Sequence, residues 1–487
     1  MTPSPTLLGI DLGTSSVKVM LTDAAGAPLA RSTHDYPVDR PHPDWAETDP
    51  ATWWTAVRKA VHDIRQQVPD AEPAGIGLCG QMHGVVLCDG SGAPTRPAVL
   101  WADARAQMEL ELYRRLDPDV GRRLANPLSP GMAGPILAWL SGHEPDVVAA
   151  SRSALQPKDW LRARLTGRQS AEPSDASATL LFDVLSEGWA EPVVAALGLR
   201  RDLLPALLSH SGEAAGNLTA EIALELGLPP GIAVAAGAAD TAAAALGSGL
   251  LAPGAVQLTI GTGVQIVTPT RPPQGTTLPA APVTHLYRSA TRDGWYAMAA
   301  GLTGGSTLSW VRRVLDVGWP DLYAAAGRSA RSDDPIFLPH LIGERTPHLD
   351  TAMRGAWTGL STRHDREALL YAALEGVAFA VAEALEALPQ ASGRGIRLAG
   401  GGTTAPAWRD LLADVLRVEL HAVDVPEASA RGAALLGGMA CGVLDENDLA
   451  AIAATPTARV AVPRSAPLLE ERRARYDGVL AALRDTG

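Results

Sequence analysis

Leu7-Leu8-Gly9-Ile10-Asp11-Leu12-Gly13-Thr14-Ser15-Ser16-Val17-Lys18-Val19-Met20-Leu21 sets an apolar run against one acid, a turn of small polar residues and a second, Val-rich run. The pattern predicts a β-hairpin with Asp11 at the mouth of its turn. Backbone N–H groups freed by the small turn residues can face phosphate oxygens, and the carboxylate can hold a divalent cation, usually through water for magnesium. An ordinary edge hairpin, its Asp supporting the turn, has the same signature. A partial copy stands about half a chain away, where Val256-Gln257-Leu258-Thr259-Ile260-Gly261-Thr262-Gly263-Val264-Gln265-Ile266-Val267 again runs apolar, turns through Gly-Thr and leaves with alternating Val and Ile. The repetition predicts two similar halves, each offering a hairpin to one ligand between them.

The rest of the chain is consistent with such a body. Its 487 residues exceed one core and indicate two domains, or three. With 46% hydrophobic and 19% charged residues it is an ordinary globular sequence rather than a disordered one. A net charge of −12 argues against a nucleic-acid partner, which calls for a basic stripe. Cys79, Cys88 and Cys441 are too few and too irregular for a disulfide framework or a zinc site. The first residues lack the basic segment and apolar core of a signal peptide, and no window approaches the ~18 unbroken apolar residues of a membrane span. The expectation is a cytoplasmic protein.

Outward from the first hairpin, the next run continues an antiparallel meander, and Asp49-Pro50 opens a helix with Trp53, Trp54, Val57, Ala60, Val61 and Ile64 at helical spacing, a core face. A buried strand at 74–79 feeds Gly80-Gln81-Met82-His83-Gly84 and a return strand at 85–88. Gln81 and His83 are suited to hydrogen-bond a small polyhydroxylated ligand, while a structural histidine satisfied in the core is the competing reading. Leu100-Trp101-Ala102-Asp103-Ala104-Arg105 opens a charged helix in which Asp103 and Arg105 are first-turn residues or reach a sugar hydroxyl. Residues 156–167 read as a helix ended by Gly167, and Glu172-Pro173-Ser174-Asp175-Ala176-Ser177 as a polar loop.

The second decisive stretch is Gly231 to Gly247: a strand, a small-residue turn and an Ala-rich helix with Asp240 alone in its first turn. Asp240 is either a stabiliser of the helix dipole, worth ~0.5 kcal/mol, or a general base at the end of a strand. Gly249 to Gly254 then links the halves. Past the second hairpin, a strand at 295–300 enters a glycine-rich helix start, Gly301 to Trp310, suited to anions or a nucleotide. Glu367 to Leu388 is a long helix, and Ile396-Arg397-Leu398-Ala399-Gly400-Gly401-Gly402 is a strand running into glycines that can lie against a planar adenine. Glu427 to Gly437 starts a close-packing helix. Glu470 to Leu483 reads as a solvated cap.

Together these stretches resemble the FGGY carbohydrate kinases, and within them the xylulokinases. The resemblance runs almost end to end and is carried by Gly9-Ile10-Asp11-Leu12-Gly13-Thr14, Pro41-His42-Pro43-Asp44-Trp45, Gly80-Gln81-Met82-His83-Gly84, Pro157-Lys158-Asp159, Gly343-Glu344-Arg345-Thr346-Pro347-His348 and Leu374-Glu375-Gly376. It implies an α/β fold of two actin-like (ribonuclease H-like) ATPase domains, each a mixed β-sheet flanked by helices, with a cleft between them. A sugar-binding domain would span residues 1–247 and an ATP-binding domain residues 248–487. By the same resemblance Asp240 takes the proton from the C5 hydroxyl of D-xylulose, giving D-xylulose 5-phosphate, with Gln81, Met82, His83, Asp103 and Thr241 on the sugar. Asp11 organises Mg2+ through water, Thr14, Gly261 and Thr262 face the phosphates of ATP, and Gly305, Gly401 and Gly402 line the adenosine. The resemblance admits a homodimer and calls for neither nucleic acid nor membrane.

Departures from the family pattern bear on the substrate. Thr241 stands where relatives commonly have Asn, Ala102 where they have Asn, Ile136 where a Lys is usual and Gly263 where many carry Ser. Another ketose or a polyol is therefore an alternative acceptor. From a different class, a non-catalytic actin-like nucleotide switch would share both hairpins and the glycine triplet, but has no need of the loop from Gln81 to Gly84.

Overall fold

The first hairpin forms as its alternation requires. The computed structural model describes residues 4–274, 278–388, 395–454 and 456–484. In it β1 (Thr6–Leu12) pairs antiparallel with β2 (Ser16–Asp23), Asp11 opposite Lys18, and the Gly13 N–H closes the turn on the Ser16 carbonyl at 3.0 Å. β3 (Pro28–Asp35) continues the meander. Asp49 caps α1 (Pro50–Gln67) by accepting the Ala51 N–H at 2.9 Å, and the expected Trp53, Val57, Ala60, Val61 and Ile64 are buried beneath it. β4 (Pro73–Gly80) lies parallel to β1. Then follow α2 (Pro157–Thr166), β5 (Ala214–Asn217), β6 (Ala233–Ala235), β7 (Ala238–Ala239) and α3 (Asp240–Ser248).

The second half contains β8 (Val256–Ile260), β9 (Val264–Thr270), β10 (His285–Arg288), β11 (Trp295–Gly301), α4 (Gly305–Val314), α5 (Arg366–Glu386), β12 (Ile396–Ala399), α6 (Pro406–Leu416), β13 (Leu420–Val423), α7 (Ala428–Ala440), β14 (Thr457–Ala461) and α8 (Pro467–Arg484). Its sheet repeats the first. One runs β3-β2-β1-β4-β6-β5, with β7 paired to β4, and the other β11-β9-β8-β12-β13-β14, with β10 outside β11. Both alternate in the same way: two antiparallel steps, two parallel steps, then an antiparallel edge. The repeat expected from two hairpins is thus a repeat of whole mixed sheets, the α/β architecture expected.

Strand alternation decides where Asp11 points. Leu8, Ile10 and Leu12 join the core under α1, whereas Leu7 belongs to the cluster that includes Ala433 to Leu436 of α7. Asp11, two and four residues from Gly9 and Leu7, shares their face. Although α7 comes from the second half, it lies directly on β1 and β4. A Cβ on Gly77 would stand 1.7 Å from the Ala433 carbonyl oxygen, and one on Gly432 would stand 1.9 Å from that of Ala243 in α3, so only bare backbone permits this stacking.

Several expectations change. The strand after the Gln-Met-His-Gly loop, Val86–Cys88, leaves the main sheet and pairs with Ser153–Leu155. The helix expected from Leu100 is a 3-10 turn at Arg105–Gln107 followed by a short helix at Leu110–Arg114. The polar stretch from Glu172 to Ser177 is wholly buried. The C-terminal helix is no solvated cap: Arg472 and Tyr476 in α8 are 0% exposed, the guanidinium paired with Glu375 of α5 at 2.5 Å and bonded to the carbonyls of Arg331, Asp334 and Pro335. Among the described residues α5 alone is long and apolar enough to cross a bilayer, and it is packed in the second core. All three cysteines are free.

Candidate active site

Asp11 and Asp240 reach the same end of the first sheet by different routes. β1 pairs Asp11 with Cys79 of β4, and β7 pairs Ala238 with Cys79 and Ala239 with Gly80 on the other side. Two strand spacings, about 10 Å, therefore separate their backbones across the end of β4. Asp11 is 6% exposed; its Oδ2 accepts the Ser429 hydroxyl at 2.5 Å, while its buried Oδ1 has no partner. Burial raises its pKa, and the Ser429 hydrogen bond and the Lys18 charge pull it back. In Asp240, Oδ1 accepts the Thr241 N–H at 2.6 Å and the Thr241 hydroxyl at 3.2 Å, leaving Oδ2 without a protein hydrogen bond. Burial first, and the negative charge of Asp11 second, push Asp240 up to about 7. Its place in the first turn of α3 favours the anion, but burial prevails.

The backbone before Asp240 is held by buried charge. Glu172 Oε1 accepts the Ser174 hydroxyl at 2.6 Å, and that hydroxyl oxygen accepts the Ala239 N–H at 2.9 Å. Glu172 Oε2 accepts the Ser211 hydroxyl at 3.0 Å, and the Ser211 carbonyl accepts the Gly237 N–H at 2.9 Å. Arg162 donates to the Ala236 carbonyl at 2.5 Å and to Asp159 at 2.8 Å. Lys158 completes the cluster, 2.5 Å from Asp159 and 3.4 Å from both Glu172 and Asp175. Lys158, Asp159, Arg162, Glu172 and Asp175 are all 0% exposed, and burial drives Asp175 well above the usual carboxylate range. Such a cluster is a costly way to stabilise a fold but a stiff way to fix a backbone. Nothing in the local sequence announced it, apart from the unusual density of charge in Lys158-Asp159 and Glu172-Pro173-Ser174-Asp175.

The residues expected on the sugar divide into two groups. Met82 and His83 follow β4 at the seam where the halves meet. His83 takes a left-handed backbone (φ 72°), and its Nδ1–H donates to the Ala178 carbonyl at 2.6 Å, leaving Nε2 as an acceptor; burial lowers its pKa to about 4, so the ring is neutral. The other three have protein partners. Asp103 spends Oδ1 on the backbone and Nε of Arg105 and Oδ2 on the Ala46 N–H and Arg105 Nη2, and its side chain is 0% exposed. These bonds hold the loop from inside, which favours the first-turn role over the sugar contact of the two the sequence admits. Gln81 Nε2 donates to the Gly13 carbonyl at 3.2 Å, tying the sugar loop to the hairpin turn. The Thr241 hydroxyl donates to Asp240 and accepts from Gln265 Nε2 of the second half at 3.0 Å, which makes it an orienter of the acid.

On the other side of the seam, the second hairpin turn and α4 are fitted backbone to backbone. The N–H groups of Gly305 and Ser306 donate to the carbonyls of Gly261 and Thr262 at 2.9 and 2.8 Å, and a Cβ on Gly305 would lie 2.4 Å from the Gly261 oxygen. Gly402 is pressed on Ile260 at the end of β8, whereas a Cβ on Gly401 would meet nothing within 4 Å, an open patch of bare backbone. Thr14, in the first turn, accepts the Trp101 indole N–H at 2.8 Å. The second hairpin has Thr259 in the place of Asp11, so only the first turn carries an acid. Ser429 and Arg345, both near these residues, were given no role by the sequence reading; Ser429 is brought to Asp11 across 418 residues, a pairing no local pattern reports.

Residues 6–247 match the N-terminal domain, and residues 256–441 the C-terminal domain, of the FGGY family of carbohydrate kinases. The xylulose kinase of Escherichia coli strain K12 is 36% identical over 414 residues, covering 84% of each chain, and that of Klebsiella pneumoniae is 36% identical over 451 residues, covering 91% of each. A solved structure, a xyloylose kinase from Brucella ovis, superposes with a TM-score of 0.92 at 35% identity over 99% of this chain and 100% of that one. Paired sheets with an acid on either side of one strand end, matched in both halves by a single family, make this chain a member of the FGGY carbohydrate kinases, phosphotransferases acting on sugars.

Proposed function

We propose that the enzyme transfers the terminal phosphoryl group of ATP to the C5 hydroxyl of D-xylulose. The observation that carries this reading is Asp240: a mostly buried carboxylate with one oxygen held by Thr241, the other free, and a pKa raised to about 7 by burial and by Asp11. A base of that strength is about half ionised at neutral pH and able to take a proton from an alcohol as the bond to phosphorus forms. Phosphoryl transfer passes through a loose transition state, so positioning and charge neutralisation supply most of the acceleration. The pinned backbone at Ala236 to Ala239 supports the first requirement.

Met82 and the Nε2 acceptor of His83 are the sugar contacts in this reading, and Thr14 and Thr262 offer hydroxyls to the phosphates beside Gly261, whose own N–H is held by the Gly263 carbonyl at 3.0 Å. Gly305, Gly401 and Gly402 line the adenosine in this reading, Gly401 with open backbone and the other two packed on Gly261 and Ile260. The donor set at Asp11 fits a magnesium ion bound through water, because its buried Oδ1 has no protein partner. When bound, Mg2+ would neutralise phosphate charge. The division at 247/248, a cytoplasmic location and a homodimer belong to the same reading.

D-xylulose is favoured by the two curated relatives at 36% identity that carry that name. The experiment is ADP release with ATP, Mg2+ and a panel of D-xylulose, D-ribulose, L-ribulose, xylitol, glycerol and gluconate. D-xylulose should give the highest kcat/KM; a clear win by another acceptor would leave the kinase and remove this substrate.

A further inference from the structure

Arg345 is a cation without a counter-ion at the seam. Its loop is pinned to the second half: the Thr346 N–H donates to the Ala300 carbonyl at 3.0 Å, and Gly343 turns with φ 85°. The adjacent carboxylate is already engaged, since Glu344 Oε1 accepts the N–H groups of Leu302 and Arg345 at 2.7 and 2.8 Å and Oε2 lies 3.3 Å from His340. Among the described residues no carboxylate or carbonyl accepts a hydrogen bond from the Arg345 guanidinium. The Trp101 ring of the first half lies 5.8 Å from its Cζ, centroid to carbon, and the charges that act on it are those of Tyr287 and Glu344. Nor are its nitrogens among the sealed, partnerless atoms of the interior.

The electrostatics show which side of that space it serves. Burial first, and the Arg345 charge with it, hold His83 and His285 below the ordinary histidine range, and the same charge partly offsets the burial that raises the Tyr287 phenol; these three rings form one group, His83 6.2 Å and His285 5.3 Å from Tyr287 between centroids. His83 is the sugar-side residue of the first half. A half-buried guanidinium with free donors, set beside a neutral imidazole acceptor, is an arrangement that binds an oxygen-rich ligand. We propose that Arg345 is the second half's direct contact to the acceptor sugar, donating hydrogen bonds to its oxygens opposite Met82 and His83. The inference rests on the kinase reading, and adds that the sugar is gripped from both halves.

The test compares Arg345→Gln and Arg345→Lys with the unaltered enzyme, measuring KM for D-xylulose, KM for ATP, kcat, and sugar binding by calorimetry without nucleotide. Because the guanidinium has no protein partner to strand, both variants should fold, which thermal unfolding checks. Arg345→Gln should raise KM and Kd for the sugar at least tenfold and leave KM for ATP within twofold. Arg345→Lys should recover part of the loss, since the ammonium keeps the charge but not the fork. Sugar affinity unchanged in Arg345→Gln, or KM for ATP raised in place of that for sugar, would overturn the proposal; the latter would assign the cation to phosphate. Unaltered enzyme that turns over no sugar in the panel would overturn the kinase reading itself, and this proposal with it.

Discussion

Asp240 should impose its own titration on the reaction. Its pKa of about 7 means that roughly a tenth of the enzyme carries the ionised base at pH 6 and roughly nine-tenths at pH 8. The quantity to measure is kcat/KM for the sugar at a fixed low concentration of MgATP, so that both substrates meet free enzyme. It should rise about tenfold across that interval on a single-proton limb. Asp11 is the second cause of the shift, and two unit charges about 10 Å apart in an effective dielectric of about 20 interact by roughly 1.7 kcal/mol, a little over one pH unit. Asp11→Asn will lower the height of the profile because it removes a candidate metal ligand, but it should also move the midpoint of the limb down to about 6. Stability runs the opposite way. Folding raises the Asp240 pKa above the unfolded value of 3.8, so this residue's contribution is complete below about pH 4 and declines as pH rises through 7. Asp240→Asn should therefore be more stable than the parent at pH 8, by about 1–3 kcal/mol in denaturant titrations, while losing activity. A profile flat from pH 5 to 8, or a limb that Asp11→Asn does not move, would refute the assignment of the titration to this pair.

Gly432→Ala places a methyl 1.9 Å from the Ala243 carbonyl and must push α7 away from α3; unfolding midpoints should show a loss of about 2–3 kcal/mol or more. Ser174→Ala leaves the Ala239 N–H without its acceptor, a cost of about 1–3 kcal/mol, and should lower kcat more than it raises KM for either substrate in steady-state assays. Glu375→Ala strands the buried Arg472 guanidinium and should cost about 3–5 kcal/mol in denaturant unfolding, with the second half the first to lose structure by hydrogen exchange.

What was legible in the chain was what short-range pattern encodes. The apolar alternation around Asp11, its echo at Gly261, the Asp49-Pro50 helix start and the strand-to-helix turn before Asp240 each specify local geometry within about a dozen residues, and each stands as expected. Contacts made across hundreds of residues were not legible. Ser429 meets Asp11 only because α7 crosses from the second half onto β1, and the glycines that permit it look like any other small residues in sequence. Charged residues also mislead when they are buried in pairs: Arg472 lies in a stretch that reads as a solvated cap, yet its guanidinium is paired with Glu375 in the interior. Asp103 is the same lesson inside the first half, an acid in a polar stretch that turned inward because Arg105 and the Ala46 N–H use all its acceptors.

The central claim is that Asp240 takes the proton from the acceptor hydroxyl while the nucleotide is held elsewhere. The most direct measurement is Asp240→Asn, a near-isosteric change, assayed for sugar-dependent ADP formation at pH 8 alongside calorimetric binding of ATP with Mg2+. Turnover should fall by about 10²–10⁴-fold with the Kd for ATP within a few-fold of the parent. Turnover within tenfold of the parent would contradict the account and return Asp240 to the role of a helix-end stabiliser.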